Sequence, residues 1–269
     1  TNTNFFNSQF FNLIGIFLGN ALGGWLYAET ELRDLYIEGR EGVSPYMASA
    51  WFPAAPQGQV SIYYGIKGFS KTVVSDRASS LMALGYARTT LAKRKLNLIL
   101  SGGMEAPVTP YALLCCSTYG ALSKNNADPQ GAYRPFDKRR DGCVIGEGAG
   151  VLVLESEDHA HRRGASALCE LSGYGASGDA YHMTAPSADG DGAARAMLRA
   201  LADAGMPPDD VLYINAHGTA TPAGDPIEVA AVKRVFGEHA RRLMMSSTKS
   251  MTGHLLGAAG GLEAIVTAL

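Results

Sequence analysis

Short apolar runs alternate along this chain with longer stretches of helical periodicity, and this alternation constrains the fold more than any other feature. Residues 13–18, 72–75, 96–101 and 150–154 are predicted as strands, and residues 79–92, 192–204 and 226–236 as helices. Strands that are apolar throughout are usually covered by helices on both faces. The pattern therefore predicts a layered α/β architecture.

A charged segment at residues 155–163 separates two parts of the chain. It reads Glu-Ser-Glu-Asp-His-Ala-His-Arg-Arg, a composition that suits an exposed connector. We place a domain boundary there, which gives an N-terminal domain of residues 1–160 and a C-terminal domain of residues 161–269. Within the second domain, residues 167–175 and 211–216 are predicted as strands.

The composition excludes two classes of partner. Of the 269 residues, 46% are hydrophobic and 18% are charged, which is typical of a globular protein with a substantial core. The formal net charge of −2 offers no concentrated basic face for nucleic acid or for an anionic membrane. The short basic run Lys138-Arg139-Arg140 is predicted as a solvated loop.

Two further features bear on location and on metals. The apolar stretch at residues 10–18 follows no basic segment and is shorter than the roughly 20 residues of a membrane span, so we predict a buried strand there. The cysteines at positions 115, 116, 143 and 169 form no CxxC pair, which indicates neither a zinc site nor a disulfide framework. We therefore expect a cytoplasmic protein without a bound metal.

Two histidines stand in glycine-flanked phrases in the second half of the chain. His217 follows an apolar run in the phrase at residues 215–221, and His254 ends the phrase at residues 247–254. Because α/β sheets generally place chemistry at the carboxyl ends of their strands, His217 is a candidate catalytic residue. His254 is a second candidate, because it stands at a turn before the small-residue helix that begins near Gly257. Such imidazoles, beside a helix N-terminus, can polarise a carbonyl or stabilise a departing carboxylate. Lys249, on the same loop, is a candidate either to orient His254 or to pair with a carboxylate.

The neighbouring acids and glycines give weaker signals. Asp225 and Glu228 follow His217 closely and are predicted to cap the helix that begins at residue 226. The glycine-rich segment at residues 146–150 lacks the strand-then-helix setting of a dinucleotide fingerprint, so the sequence indicates no NAD or FAD site. We expect these glycines to allow close backbone contact between layers.

Several phrases together resemble the β-ketoacyl synthases of the thiolase fold. They are residues 215–225 (NAHGTATPAGD), 247–260 (STKSMTGHLLGAAG), 133–137 (YRPFD) with 146–148 (GEG), and 101–105 (SGGME). The resemblance runs from about Gly19 to Leu269 and is weaker at residues 1–11. It implies a duplicated five-layer α-β-α-β-α fold. Of that fold, this chain is expected to hold most of the first half and the front of the second.

The resemblance also implies which residues act in that family. A cysteine at a strand-to-helix turn takes the acyl chain, two histidines promote decarboxylation of a malonyl unit, and a lysine supports the second histidine. His217, His254 and Lys249 match the histidines and the lysine, but Arg77 stands at the position of the cysteine. A guanidinium can neither be acylated nor leave, so Arg77 is no replacement nucleophile. Its charge also opposes the helix dipole, at a cost of about 0.3 to 1 kcal/mol that a partner such as Asp76 must offset.

The missing cysteine leaves three hypotheses. The favoured one is a subunit that resembles the chain length factor of type II polyketide synthases, the heterodimeric partner of a cysteine-bearing ketosynthase. Those subunits commonly lose the histidines as well, whereas His217 and His254 are present here. The second is a β-ketoacyl synthase proper whose active-site Cys is mutated or mis-sequenced, since one base change converts a Cys codon to the Arg codon of residue 77. The third is a structural pseudo-enzyme that serves only as a dimer platform.

The resemblance implies partners rather than bound cofactors. Acyl chains would arrive on the phosphopantetheine of an acyl carrier protein, so no resident cofactor is expected. In that family the strand before the nucleophile turn pairs with its counterpart across the dimer axis, which here implicates residues 69–75. The expected partners are therefore a ketosynthase subunit or a second copy of the chain, together with the carrier protein.

Overall fold

The computed structural model describes residues 11–269, which form two compact units interleaved along the chain. Unit 1 contains the described residues up to Cys115, together with Gly146–Cys169 and Leu255–Leu269. Unit 2 contains Cys116–Ile145 and Glu170–His254. The weaker family match predicted for residues 1–11 lies, apart from Phe11, outside the described residues.

The strands and helices follow one another in a fixed order. The first part of the chain contains β1 (Ile14–Gly19), α1 (Trp25–Glu38), α2 (Met47–Ala50), α3 (Ala55–Tyr64), β2 (Ser70–Val73), α4 (Ser79–Ala92), β3 (Leu98–Glu105), α5 (Pro110–Tyr119), β4 (Gly148–Glu155) and α6 (Glu157–Arg162). The second part contains α7 (Asp191–Ala204), β5 (Tyr213–Asn215), α8 (Gly224–Phe236), β6 (Met244–Ser246), α9 (Lys249–Thr252) and α10 (Ala259–Ala268).

A four-stranded sheet in the order β2-β1-β3-β4 forms the centre of unit 1. Strands β1, β2 and β3 are parallel, and β4 runs antiparallel to β3 at one edge. Every residue of β1 is buried. On one face of the sheet Phe17 packs against α4, and on the other face Ile16 and Leu18 form a second cluster with Ile66. The prediction of a strand covered on both faces is thus confirmed for β1.

Strand β4 differs from its prediction. Residues 150–154 are predicted as a buried strand, but β4 is longer and forms a sheet edge at which Val151 and Val153 are substantially exposed. Its glycines allow α10 to approach closely, since a Cβ on Gly150 would lie only 2.6 Å from the backbone nitrogen of Leu262. The close backbone contact predicted for the glycine-rich segment is therefore confirmed.

In unit 2, β5 and β6 form a parallel pair in which Tyr213 is opposite Met244 and Asn215 is opposite Ser246. Helices α7 and α8 pack against each other beside Gly190, where a Cβ would lie 3.0 Å from the Cβ of Ala231. Strand β5 ends beside α8, whose Glu228 accepts the backbone N–H of His217, and β6 runs parallel to β5. The two histidine phrases begin at those strand ends.

Residues 167–175 are wrongly predicted as a strand, because within the described chain they form none. Gly173 and Gly175 lie against the backbone of α7, and the backbone N–H of Tyr174 donates to the carboxylate of Asp203 at 2.9 Å. Helix α7 therefore provides this segment with packing and a hydrogen-bond acceptor that a neighbouring strand would otherwise provide.

The charged segment at residues 155–163 is more ordered than the predicted connector. Its residues 157–162 form α6. Ser156 caps this helix, because its side chain accepts a hydrogen bond from the backbone N–H of His159. Glu155 pairs with both His159 and Arg163. Capping and ion pairing thus make a short helix of a segment that composition alone suggests is a loop.

Candidate functional site

Strands β5 and β6 bring the two histidine phrases to one place. Because the strands are parallel, their carboxyl ends open on the same edge. His217 follows β5, and the backbone N–H of Ala216 still donates to the carbonyl of Ser246 at 2.8 Å, which extends the ladder up to the histidine. Lys249 follows β6 and begins α9.

His254 reaches the same place from the turn after α9. Gly253 makes that turn with a φ of +74°, and the backbone N–H of His254 donates to the carbonyl of Val144 at 2.8 Å. The His254 residue is only 1% exposed, whereas His217 is exposed. Their ring centroids are 5.2 Å apart with the planes at 80°. The structure therefore brings together the two histidines that the sequence singles out.

Lys249 belongs to the same cluster and is almost wholly enclosed, with 1% of its surface exposed. Its charge acts on Glu228, a half-buried carboxylate on α8. Burial raises the pKa of Glu228, while hydrogen bonds from the backbone N–H groups of Gly218 and His217 and the Lys249 charge oppose that rise. The site thus contains a lysine and a carboxyl group in addition to the two imidazoles.

Glu228 fixes the start of the His217 loop. Its carboxylate accepts the backbone N–H of His217 at 2.6 Å and that of Gly218 at 2.8 Å. The loop turns through left-handed backbone at Gly218, with a φ of +39°, and at Ala220, with a φ of +59°. A Cβ on Gly218 would lie 2.4 Å from the Cβ of Ser247, so glycine is required there for both conformation and space.

The acids after His217 do not cap α8 as predicted. The residue before that helix is Ala223, which offers no side-chain cap, and the backbone N–H of Gly224 donates to the Thr221 hydroxyl at 3.0 Å. Asp225 instead accepts the backbone N–H of Phe136 at 2.7 Å, and Glu228 serves the His217 loop. Both carboxylates bind neighbouring loops because those loops present backbone N–H groups that lack strand partners.

The basic run at residues 138–140 is only partly the solvated loop that was predicted. The side chain of Arg139 is 71% exposed, but that of Arg140 is 18% exposed and donates to the carbonyls of Thr221 and Pro222. Sequence reasoning missed Arg140 because a basic triplet is usually a solvated surface. The one available signal was its place directly after the Tyr133–Asp137 phrase.

In unit 1, Arg77 lies at the strand-to-helix turn between β2 and α4, as the sequence predicts. Residues Asp76–Ala78 form one turn of 3-10 helix, and Asp76 is in left-handed backbone with a φ of +46°. The Ser79 hydroxyl holds the turn, because it accepts the backbone N–H of Ser75 at 2.9 Å and donates to the carbonyl of Asp76 at 2.6 Å. A hydroxyl of the helix, not the residue-77 side chain, therefore fixes the turn.

The Arg77 guanidinium forms an ion pair with Asp76. The side chains are 41% and 64% exposed, respectively. An exposed pair of this kind contributes little stability, about 0 to 1 kcal/mol, which is similar in size to the cost of a cation at a helix N-terminus. Asp76 is thus the partner that the dipole argument requires.

The described residues contain no group of three or more His, Cys, Asp or Glu side chains that could hold a metal ion. None of their helices is long and apolar enough to cross a membrane.

The fold and the histidine pair define a thiolase-like protein, and comparison with known families agrees. Residues 2–160 match the N-terminal domain of beta-ketoacyl synthase, and residues 168–269 match its C-terminal domain. The chain belongs to the beta-ketoacyl synthase family. Because the match begins at residue 2, the prediction that the resemblance starts near Gly19 is wrong.

Individual relatives support the same assignment. The chain is 47% identical over 256 residues to 3-oxoacyl-[acyl-carrier-protein] synthase 2 of Staphylococcus aureus. The aligned region covers 95% of this chain and 63% of that protein. The structure matches a type II polyketide synthase acyl carrier protein in complex with its ketosynthase (TM-score 0.92, 34% identity, covering 96% of this chain and 64% of that one). It also matches the ishigamide ketosynthase/chain length factor (TM-score 0.89, 34% identity, covering 96% and 62%).

These matches confirm the predicted thiolase-like α/β fold. The chain spans about 63% of the length of the curated relatives that it matches.

Proposed function

We propose that this chain takes part in decarboxylative Claisen condensation as the non-acylated partner of a cysteine-bearing ketosynthase, in the manner of a chain length factor. The observation that carries the proposal is Arg77. It lies at the strand-to-helix turn where the family resemblance expects the nucleophile, and its guanidinium cannot accept an acyl group. The acyl chain would therefore be held by the partner subunit.

The substrates follow from the same chemistry. Acyl and malonyl units would be delivered on the phosphopantetheine of an acyl carrier protein, in polyketide biosynthesis. Two structures similar to this chain support such partners, since one is a carrier protein in complex with its ketosynthase and the other a ketosynthase/chain length factor. In this assembly the chain would help to shape the tunnel in which the product grows.

The second candidate is a ketosynthase that has lost its cysteine, and the preserved histidine cluster favours it. His217 and His254 stand edge to face, and Lys249 is enclosed while its charge acts on Glu228. The S. aureus relative is itself a 3-oxoacyl-[acyl-carrier-protein] synthase. A chain with only a structural role has no need of this arrangement. The purely structural platform is therefore the weakest of the three hypotheses.

A coexpression experiment tests the proposal. The protein is purified with a cysteine-bearing ketosynthase, incubated with an acyl thioester, and both subunits are examined by intact mass spectrometry. We expect a 1:1 heterodimer and an acyl adduct on the partner alone. An acyl adduct on this chain, or a monomer without affinity for any ketosynthase, would overturn the proposal. A stable homodimer without an adduct would favour the second candidate.

A further inference from the structure

The guanidinium of Arg140 joins two segments of unit 2. Its Nη1 donates to the carbonyl of Asp137 at 3.2 Å, its Nε to that of Thr221 at 3.1 Å, and its Nη2 to that of Pro222 at 3.0 Å. Thr221 and Pro222 belong to the loop that begins at His217. One planar group thus fixes the far end of that loop to the segment that precedes Arg140.

The carboxylate of Asp225 requires the Arg140 charge. Asp225 is 2% exposed, and its Oδ2 lies 3.6 Å from Nε of Arg140. Oδ2 also accepts the backbone N–H of Phe136, whereas Oδ1 has no hydrogen-bond partner among the described residues. A buried carboxylate is costly unless a cation compensates it. Arg140 is therefore held in place by a charge that cannot easily find another partner.

The segment before Arg140 also contacts the near end of the loop. Phe136 is in left-handed backbone, with a φ of +64°, and its ring would lie 3.1 Å from a Cβ built on Gly218. The ring therefore occupies the space beside the residue that follows His217. The same short segment contacts the loop at Gly218 through Phe136 and at Thr221 and Pro222 through Arg140.

We propose that Arg140 is a positioning residue for His217, acting by clamping the two carbonyls of Thr221 and Pro222. The inference rests on the proposed function only in that it takes His217 as a working group of the site. The clamp needs a guanidinium, because a planar fork of donors serves two carbonyls at once, whereas an ammonium is a point charge. Glu228 fixes the loop at its start, and Arg140 fixes it at its end.

The test measures the imidazole signals of the purified protein by NMR at one pH. The His217 signal is assigned by its loss in His217→Gln, and His239 of the same unit serves as the internal reference because its ring is bonded to the carbonyl of Val211. In Arg140→Lys we expect the His217 signal to shift and the His239 signal to stay in place. Arg139→Lys is the matched control, since Arg139 is the exposed neighbour and pairs with Asp137.

An unchanged His217 signal in folded Arg140→Lys overturns the proposal. If that variant does not fold, Arg140→Gln combined with Asp225→Asn removes both charges together and keeps an acceptor for Phe136. The clamp predicts that the His217 signal is still shifted in the double variant. A signal restored to the wild-type position would mean that Arg140 only neutralises Asp225, which contradicts the clamp. Acyl adducts do not enter this measurement, so its outcome is separate from that of the proposed function.

Discussion

His217 and His254 stand edge to face with ring centroids 5.2 Å apart, yet one is exposed and the other is enclosed. His254 is fixed by its burial and by its backbone bond to Val144. His217 is held through its loop, by Glu228 and by the contacts of Ser247 with Gly218. The geometry of the pair therefore depends mainly on contacts made by the backbone around His217.

We expect Arg77→Cys to create a thiol that can be acylated. The introduced thiol would stand at the N-terminal turn before α4, where the helix dipole lowers a thiol pKa. Intact mass spectrometry with an acyl thioester should show a single adduct, and condensation with malonyl carrier protein should follow if the histidines are arranged for chemistry.

Two controls make the Arg77→Cys result specific. Adding Cys115→Ser should leave the adduct in place, because Cys115 lies on α5 and not at the nucleophile turn. Adding His217→Ala should abolish condensation and leave acylation intact. A folded Arg77→Cys protein that takes no acyl group, with its partner present, would contradict the assignment of this turn to the nucleophile.

Glu228 should make the protein less stable as the pH rises. Burial raises the pKa of Glu228 above its ordinary value of 4.5, so its contribution to the free energy of unfolding is complete below pH 4.5 and is lost as the pH rises through the folded-state pKa. Relative to Glu228→Gln, the wild type should therefore lose stability between pH 4.5 and neutrality in urea unfolding. Glu238→Gln, at an exposed pair with Arg241, should parallel the wild type. A constant gap between wild type and Glu228→Gln would refute this.

Glu155 should act in the opposite direction. Its bonds to Arg163 and His159 lower its pKa to about 2. Its contribution to the free energy of unfolding is therefore present above pH 4.5 and is lost as the pH falls from 4.5 through the folded-state pKa. Allowing for solvent screening, Glu155→Gln should cost about 1 to 2 kcal/mol at neutral pH. Chemical unfolding from pH 6 down to the acid limit of the fold should show that cost shrinking below pH 4.5. Arg163→Gln should show a similar loss, and combining the two should add little more.

The outer edge of β2 should govern association. In the described sheet β2 has β1 on one side only, and the carbonyl of Val73 accepts from Asn20, so the main chain of Thr72 points to the open side. Phe69, just before the strand, is 62% exposed. If β2 pairs across a dimer axis, Thr72→Pro removes a donor there without breaking the β1 ladder.

Light scattering can measure this effect. Thr72→Pro should weaken the 1:1 heterodimer by about 2- to 10-fold, because the single lost hydrogen bond costs about 0.5 to 1.5 kcal/mol, and it should weaken a homodimer more because a two-fold axis repeats the loss. Thr72→Val keeps the backbone donor and should associate like the wild type. Equal dissociation constants for the two variants would show that β2 is not at the interface.

Local patterns predict much of this fold. The helix at residues 79–92 is predicted with the bounds that α4 has, because a run of small and apolar residues follows a clear turn. The strand at residues 96–101 is predicted too short, since Gly102 and Gly103 look like a strand end. In β3 they continue the strand, because a Cβ on Gly102 would lie 1.9 Å from the carbonyl of Gly150 and only glycine lets β4 approach.

The contacts that build the site are harder to predict. The histidines and Lys249 stand in recognisable phrases, but the partners of Glu228, Asp225 and Arg140 are backbone groups of loops whose shape depends on the whole unit. Acids shortly after a loop are usually helix caps, and that general preference gave the wrong partners here. Tertiary hydrogen bonds of buried backbone groups leave no local signal in the chain.

The backbone of the turn that holds Arg77 is fixed by residues other than the arginine. The Ser79 hydroxyl bridges Ser75 and Asp76, and Gly19 lets β1 end against the start of α4, where a Cβ would lie 2.2 Å from the nitrogen of Ser80. Selection can therefore exchange the side chain at this position without rebuilding the scaffold. After a gene duplication, one copy can drop its acyl acceptor in a single mutational step and keep its fold, and a later reversion can restore it.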